Sequence, residues 1–200
     1  MHELMRAHSL ATLVTMGADG LNANHIPFYI DTATSPYCAL KGHVARSNPL
    51  LTGLVREVDV LAIFQGPQTY ISPSWYATKA DTGKVVPTWN YAVVHAYGKL
   101  MVHDDPKWIR QQMELLTQEK ESAFQAPWAV SDAPEDFVEQ RIRAVVGIEI
   151  TVTKLQGKWK VSQNQPGKNQ QSVIEALESG QSETGRSMAG LVKTRGCLGS

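Results

Sequence analysis

"TGKVVPTWNYAVVHAYG", residues 82–98, carries the alternation that decides the fold. Beyond Thr88 one set of positions is Asn90, Ala92, Val94, Ala96 and Gly98, and the other is Trp89, Tyr91, Val93, His95 and Tyr97. A period of two is that of a β-strand, whose successive side chains point to opposite faces. The first set is small and apolar enough for a tight core. The second should then meet water, yet it is aromatic, so something has to cover it.

On the N-terminal side, "ATLVTMGADGLNANHIPFYI" (11–30) holds two β-rich runs joined by Gly17-Ala18-Asp19-Gly20, which predicts a hairpin. "YCALKGHVAR" (37–46) sets Cys38, Leu40, Gly42 and Val44 against Ala39, Lys41, His43 and Ala45, the pattern of a half-buried strand. "SNPLLTGLVREV" (47–58) then opens a helix, with Ser47 or Asn48 as its cap and Pro49 in its first position. Residues 59–76 predict a short buried strand, a Gly-Pro break and a second extended piece.

On the C-terminal side, the period becomes helical over 104–121, with Asp104 or Asp105 as cap, Pro106 first, and Trp108, Ile109, Met113 and Leu116 as the apolar stripe. Residues 131–142 repeat the design, with Phe137, Val138 and Ile142 inward. Strand character returns in "VVGIEITVTKL" (145–155), a turn is expected at Gln156-Gly157, and "KWKVSQNQ" (158–165) continues it. Six or seven strands with inserted helices make a mainly β, α+β chain and a barrel-like sheet rather than βαβ units. One domain is expected over 1–167, followed over 168–200 by a short helix (Ser172–Glu178) and a mobile Gly- and Ser-rich tail.

Lys+Arg and Asp+Glu balance at 19 each over 200 residues, without the basic excess of a chain that holds nucleic acid mainly through phosphates. The two cysteines, Cys38 and Cys197, form no framework, which suits a reducing, cytoplasmic setting. No run is long and apolar enough for a membrane span, and "MHELMRAHSL" is not a signal peptide. His25, His43, His95 and His103 fall in predicted strands without metal-ligand spacing. Nucleophile-elbow, dinucleotide and Walker A motifs are absent from the sequence.

Three stretches carry candidate chemistry. In "LKGHVARSNP" (40–49), Lys41 and His43 share a strand face, and Arg46, Ser47 and Asn48 lead into a helix N-terminus, a set able to hold a phosphate. A solvated strand with an ordinarily capped helix would read the same. In "GLNANHIPF" (20–28), Pro27 marks an edge, a bulge or a ligand contact, and Asn22 and Asn24 share a face with Ile26 and Phe28. Inward asparagines need partners, from a heterocycle or from the protein. In "GKWKVSQNQP" (157–166), Lys158, Lys160 and Ser162 oppose Trp159, Val161 and Gln163, either an aromatic wall beside ammonium groups or a hairpin snorkelling its lysines.

With "FQGPQTYISPSWY", "VVPTWNYAVVHAYG", "WAVSDAPEDF" and "VGIEI" in the same order, the chain from Leu4 to about Pro166 resembles the PaiB family of FMN-binding transcriptional regulators. It departs from that family's pattern at the start, where it runs almost directly into "HELMRAHSL". The resemblance implies an FMN-binding split β-barrel, related to pyridoxamine 5'-phosphate oxidase, that pairs as a homodimer with FMN at the interface. The partner and flavin would then cover the Trp89–Tyr97 face. Residue by residue, it implies that Asn24, His25 and Ile26 line the flavin ring and that Lys41, His43, Arg46, Ser47 and Asn48 meet the phosphate. Gln65, Trp89 and Asn90 would border the ring or its open face, and Lys160, Ser162 and Gln163 would reach the flavin from the C-terminal strand. A cation there would stabilise reduced flavin.

The function implied is negative transcriptional regulation. An FMN-dependent oxidoreductase or flavin reductase acting on a small molecule is the alternative, and haem binding or degradation a lesser one. Catalytic residues are unassigned, and any DNA contact is expected to be indirect, because no helix-turn-helix is evident in the sequence.

Overall fold

A computed structural model describes residues 1–55 and 57–196. Arg56, within the helix expected after Pro49, and the last tail residues from Cys197 lie outside the described residues. Contacts divide the chain into two units, Met1–Phe64 with Val94–Gln156 and Gln65–Val93 with Gly157–Ser200.

The strands are β1 (Leu10–Gly17), β2 (Gly20–Pro27), β3 (Tyr29–Asp31), β4 (Ala39–Ala45), β5 (Val60–Ile71), β6 (Thr88–His103) and β7 (Val145–Lys160). They form one sheet in the order β2-β1-β5-β6-β7-β4-β3. The expected hairpin pairs Gly17 with Gly20 across Ala18-Asp19. Gly20 sits at φ 110, open to glycine at little steric cost. The two edge strands, β2 and β3, are separated in the chain by Phe28 alone. β2 also contacts β4, so the sheet curls back on itself. Pro27, at the end of β2, stands at this corner, where the chain leaves β1 and joins β4. Gly42 of β4 makes the close approach possible, since a Cβ there would meet the Pro27 carbonyl and the Phe28 ring at 3.1 Å.

In the first unit the core holds Leu13, Phe28, Ile30, Leu40, Phe64 and Ile148, all fully buried. Helix α1 (His2–Ala7) contributes Met5 to it. Helix α4 (Pro106–Glu121) is capped by Asp105, whose side chain accepts from Lys107 N–H, and lies on β3 and β4. With α5 (Glu135–Arg143) it buries Ile109, Val138 and Ile142. Phe137, expected inward, is 46% exposed and carries Arg141 over its ring instead.

Three sequence expectations fail where strand pairing overrides local composition. The helix after Pro49 is one turn, α2 (Leu50–Gly53), because Leu54 bridges to Gly17 and pulls the chain into extended form. Gly66-Pro67 does not break β5, which runs unbroken for 12 residues. Gln156-Gly157 does not turn, and β7 continues to Lys160.

In the second unit, a short helix α3 (Lys79–Thr82) precedes β6. Helix α6 (Gly167–Ser179) includes the expected Ser172–Glu178, and the segment expected as a mobile tail folds as α7 (Glu183–Arg195), capped by Ser182. Val173, Ile174 and Leu177 pack with Met188, Ala189 and Val192 on Ile71, Tyr76 and Val161. This stripe at helical spacing holds the segment in a core.

Candidate functional site

The candidate residues fall into two sets, one in each unit. In the first, β2 is an edge strand on which His25 is exposed and Ile26 is buried in the core. Asn22 is exposed rather than inward, and the asparagines satisfy one another: Asn24 Nδ2 donates to Asn22 Oδ1 at 2.7 Å, and Asn48 Nδ2 donates to Asn24 Oδ1 at 3.1 Å. Asn48 Oδ1 also accepts from Leu50 N–H at 2.8 Å. A one-turn helix offers little dipole, so the expected helix-end contribution to phosphate binding falls away.

The cationic groups of this set are engaged with the protein. Lys41 Nζ lies 2.7 Å from Asp31 Oδ2, with the two side chains only 17% and 15% exposed. The hydrogen bond from Lys41 holds the Asp31 carboxyl below its usual pKa, against the upward push of burial. His43 Nδ1 pairs with Gln112 Oε1 at 2.7 Å. Arg46 forks onto Asp104 and donates to the Arg143 and Val145 carbonyls. The fork lowers the Asp104 pKa and raises that of Arg46. Ser47 is exposed beside it. Sequence reading did not connect Asp31, Asp104 and Gln112 with these groups, because each is distant in the chain from the one it meets.

The two ion pairs differ in how readily they exchange. Lys41–Asp31 is largely shielded from water, so breaking it strands a charge. Arg46–Asp104 is open, at 46% and 67% exposure, where such a pair adds little stability and an incoming anion can replace the carboxylate.

In the second unit, Trp89 is 53% exposed and meets Tyr70 edge-on at 6.3 Å. Asn90 is 1% exposed, and its Nδ2 donates to Ser162 Oγ at 2.9 Å. Its Oδ1 has no hydrogen-bond partner among the described residues. Lys160 Nζ donates to Thr88 Oγ1 at 2.6 Å. Thr88, Asn90, Lys160 and Ser162 border a cavity of about 180 Å³ with Val86, Pro87 and Gln165. Tyr76 also lines it, its phenol pKa raised by burial. Ser162, at φ 63, is the one non-glycine residue at positive φ among the described residues. Gln163 closes the end of β7, accepting from Val161 N–H and donating to the Trp159 carbonyl. Gln65 is exposed on β5. Thr88, missed in the sequence, shares Asn90's alternation set and could have been found by extending it two residues back.

This arrangement fits a planar heterocycle. An orphaned buried acceptor and an ammonium group beside the apolar Val86 and Pro87 suit a ring with its own N–H and carbonyls. Among the described residues no three His, Cys, Asp or Glu side chains are grouped to hold a metal ion.

A flavocytochrome from Azotobacter vinelandii shares this architecture at TM-score 0.54 and 11% identity, over 80% of this chain and 67% of that one. The curled sheet with its helices is a split β-barrel of the type found in flavin-binding proteins. Residues 1–154 match the family described as "Putative FMN-binding domain", and the chain belongs to that family. An uncharacterized protein of Emericella nidulans is 34% identical over 98% of this chain and 92% of its own length. The protease synthase and sporulation protein PAI 2 of Bacillus subtilis is 29% identical over 96% of this chain and 89% of its own. FMN is the cofactor that family membership carries.

Proposed function

We propose that this chain is an FMN-binding homodimer of the PaiB kind that acts in negative transcriptional regulation. The observation that carries the flavin reading is the open Trp89 face in a unit that also holds Lys160 and the unpartnered Asn90 amide. Asn90, Lys160 and Ser162 are the ring contacts of the second unit on this reading, with Trp89 on the other face of β6. Taken by itself, the first unit offers Arg46 beside Ser47 as a phosphate contact, since its pair with Asp104 is the exposed one. When bound, FMN supplies hydride or single-electron chemistry, and the protein's part is to orient the ring and set its electrostatics.

Pairing of two chains is supported by the outer face of the first unit. Leu10 and Met16 of β1 are exposed, while Thr12 and Val14 stand beside Ile63 and Leu61 of β5, all four half-buried. Helix α4 covers β3 and β4 rather than this face. A second copy would bury it, as apolar faces of homodimers are buried. The regulatory reading is supported by likeness to PAI 2 and by charge segregation, with eight Lys/Arg against four Asp/Glu in the second unit.

Sedimentation with FMN bound tests the assembly. A dimer that Ile63→Asp converts to monomer supports it, and a wild-type monomer removes it. DNA binding whose log K falls steeply with log salt supports the regulator. Flavin that bleaches with NADH and recovers in air, with no DNA binding, turns the reading to an oxidoreductase.

A further inference from the structure

The buried amide of Asn90 is half satisfied. Nδ2 donates to Ser162 Oγ at 2.9 Å, while Oδ1 has no hydrogen-bond partner among the described residues, in a side chain only 1% exposed. Turning the amide over exchanges the two atoms without removing the deficit, because the single Ser162 hydroxyl meets one end only. Buried polar groups are nearly always paired, so an unpaired one beside a cavity marks a place for a ligand atom. Ser162 adds an independent sign: strained backbone of this kind, at φ 63, clusters where a site is held in shape.

The cavity restricts what could enter. At about 180 Å³ it lies below the roughly 300 Å³ at which clefts for drug-sized ligands begin, so it takes one ring. Val86 and Pro87 offer an apolar wall, and Lys160, bonded to Thr88 Oγ1, keeps further N–H groups for an acceptor.

We propose that this cavity binds a single heterocyclic ring by its amide edge, an N–H beside a C=O. Asn90 Oδ1 accepts from the ligand N–H and Lys160 Nζ donates to the adjacent carbonyl. The same edge occurs on the terminal ring of a flavin, where the inference rests on the flavin reading and deepens it, and on a free monocyclic carboxamide, where it does not.

The test is calorimetric titration of the full chain with lumiflavin, nicotinamide and their N-methylated forms, 3-methyl-lumiflavin and N,N-dimethylnicotinamide, with FMN retention measured in parallel. At least one parent compound binds, its methylated form binds at least tenfold more weakly, and Asn90→Leu removes that difference. Discrimination on lumiflavin assigns the flavin ring, and discrimination on nicotinamide assigns a free carboxamide. Equal binding of parent and methylated compounds, or binding of neither parent, overturns the proposal. FMN retention without discrimination sinks the amide-edge inference and leaves the flavin reading standing. Nicotinamide discrimination without FMN retention does the reverse. Should Asn90→Leu not fold, the methylated pairs on the wild type decide the outcome.

Discussion

Replacing Ser162 by alanine and by glycine separates two effects at the cavity. Both variants remove the hydroxyl that meets Asn90, leaving the amide, at 1% exposure, with no partner at either end. Stranding such a group costs about 1–3 kcal/mol. Alanine keeps the left-handed backbone at φ 63, whose steric cost to any residue with a Cβ is about 1–2 kcal/mol. Glycine relieves that strain but gives back about 0.5–1 kcal/mol through the freedom of its unfolded chain. Ser162→Ala should therefore lose about 2 kcal/mol, and Ser162→Gly should recover about 1 kcal/mol of that loss. At about 2–4 °C per kcal/mol for a chain of this size, the expected fall in Tm is about 4–8 °C for alanine, with about 2–4 °C restored by glycine. Scanning calorimetry, checked by urea titration at equal m-values, reads both. An alanine variant as stable as the glycine variant, or more so, would refute the strain assignment. An alanine variant as stable as wild type would refute the claim that the hydroxyl satisfies Asn90.

Other expectations follow from single contacts. Arg46→Ala should weaken FMN at least tenfold while changing riboflavin, which lacks the phosphate, less than twofold; equal losses for both would remove Arg46 from phosphate binding. Asp31 has a lowered carboxyl pKa in the folded chain, so its contribution is present above the ordinary carboxylate range and is lost as pH falls through the folded value, below about 4. Melting curves from pH 6 to pH 2.5 should show Lys41→Met less stable than wild type at the upper end and the two converging at the lower; a constant gap contradicts the pairing. Gly98→Ala would place a Cβ 2.1 Å from the Thr151 carbonyl oxygen of β7, far inside contact distance. Forcing that backbone apart should cost about 3 kcal/mol or more, and a Tm within 2 °C of wild type would contradict the packing.

How much of the molecule the sequence reveals depends on the range over which the deciding contact acts. The Gly17–Gly20 hairpin, the Asp105 cap with Pro106 and the β6 alternation are local, and each was legible from a few neighbouring residues. The continuity of β5 through Gly66-Pro67 and of β7 through Gln156-Gly157 was not, because sheet pairing overrides local turn composition. Helix α7 was read as tail because its buried stripe is Gly185, Met188, Ala189 and Val192, two of them too small to register as periodic hydrophobicity. The phosphate stretch was read with its charges free, but their partners Asp31 and Asp104 lie 10 and 58 residues away. The special character of Asn90 is a missing partner, which no residue string displays.

The most direct test of the central claim is an absorbance scan from 300 to 550 nm of the purified chain, taken before and after incubation with FMN and passage through a desalting column. Retained flavin bands at about one FMN per subunit, lost on Trp89→Ala with Asn90→Leu in a protein that still melts cooperatively, are the predicted result. A folded wild-type chain that emerges colourless would contradict the account.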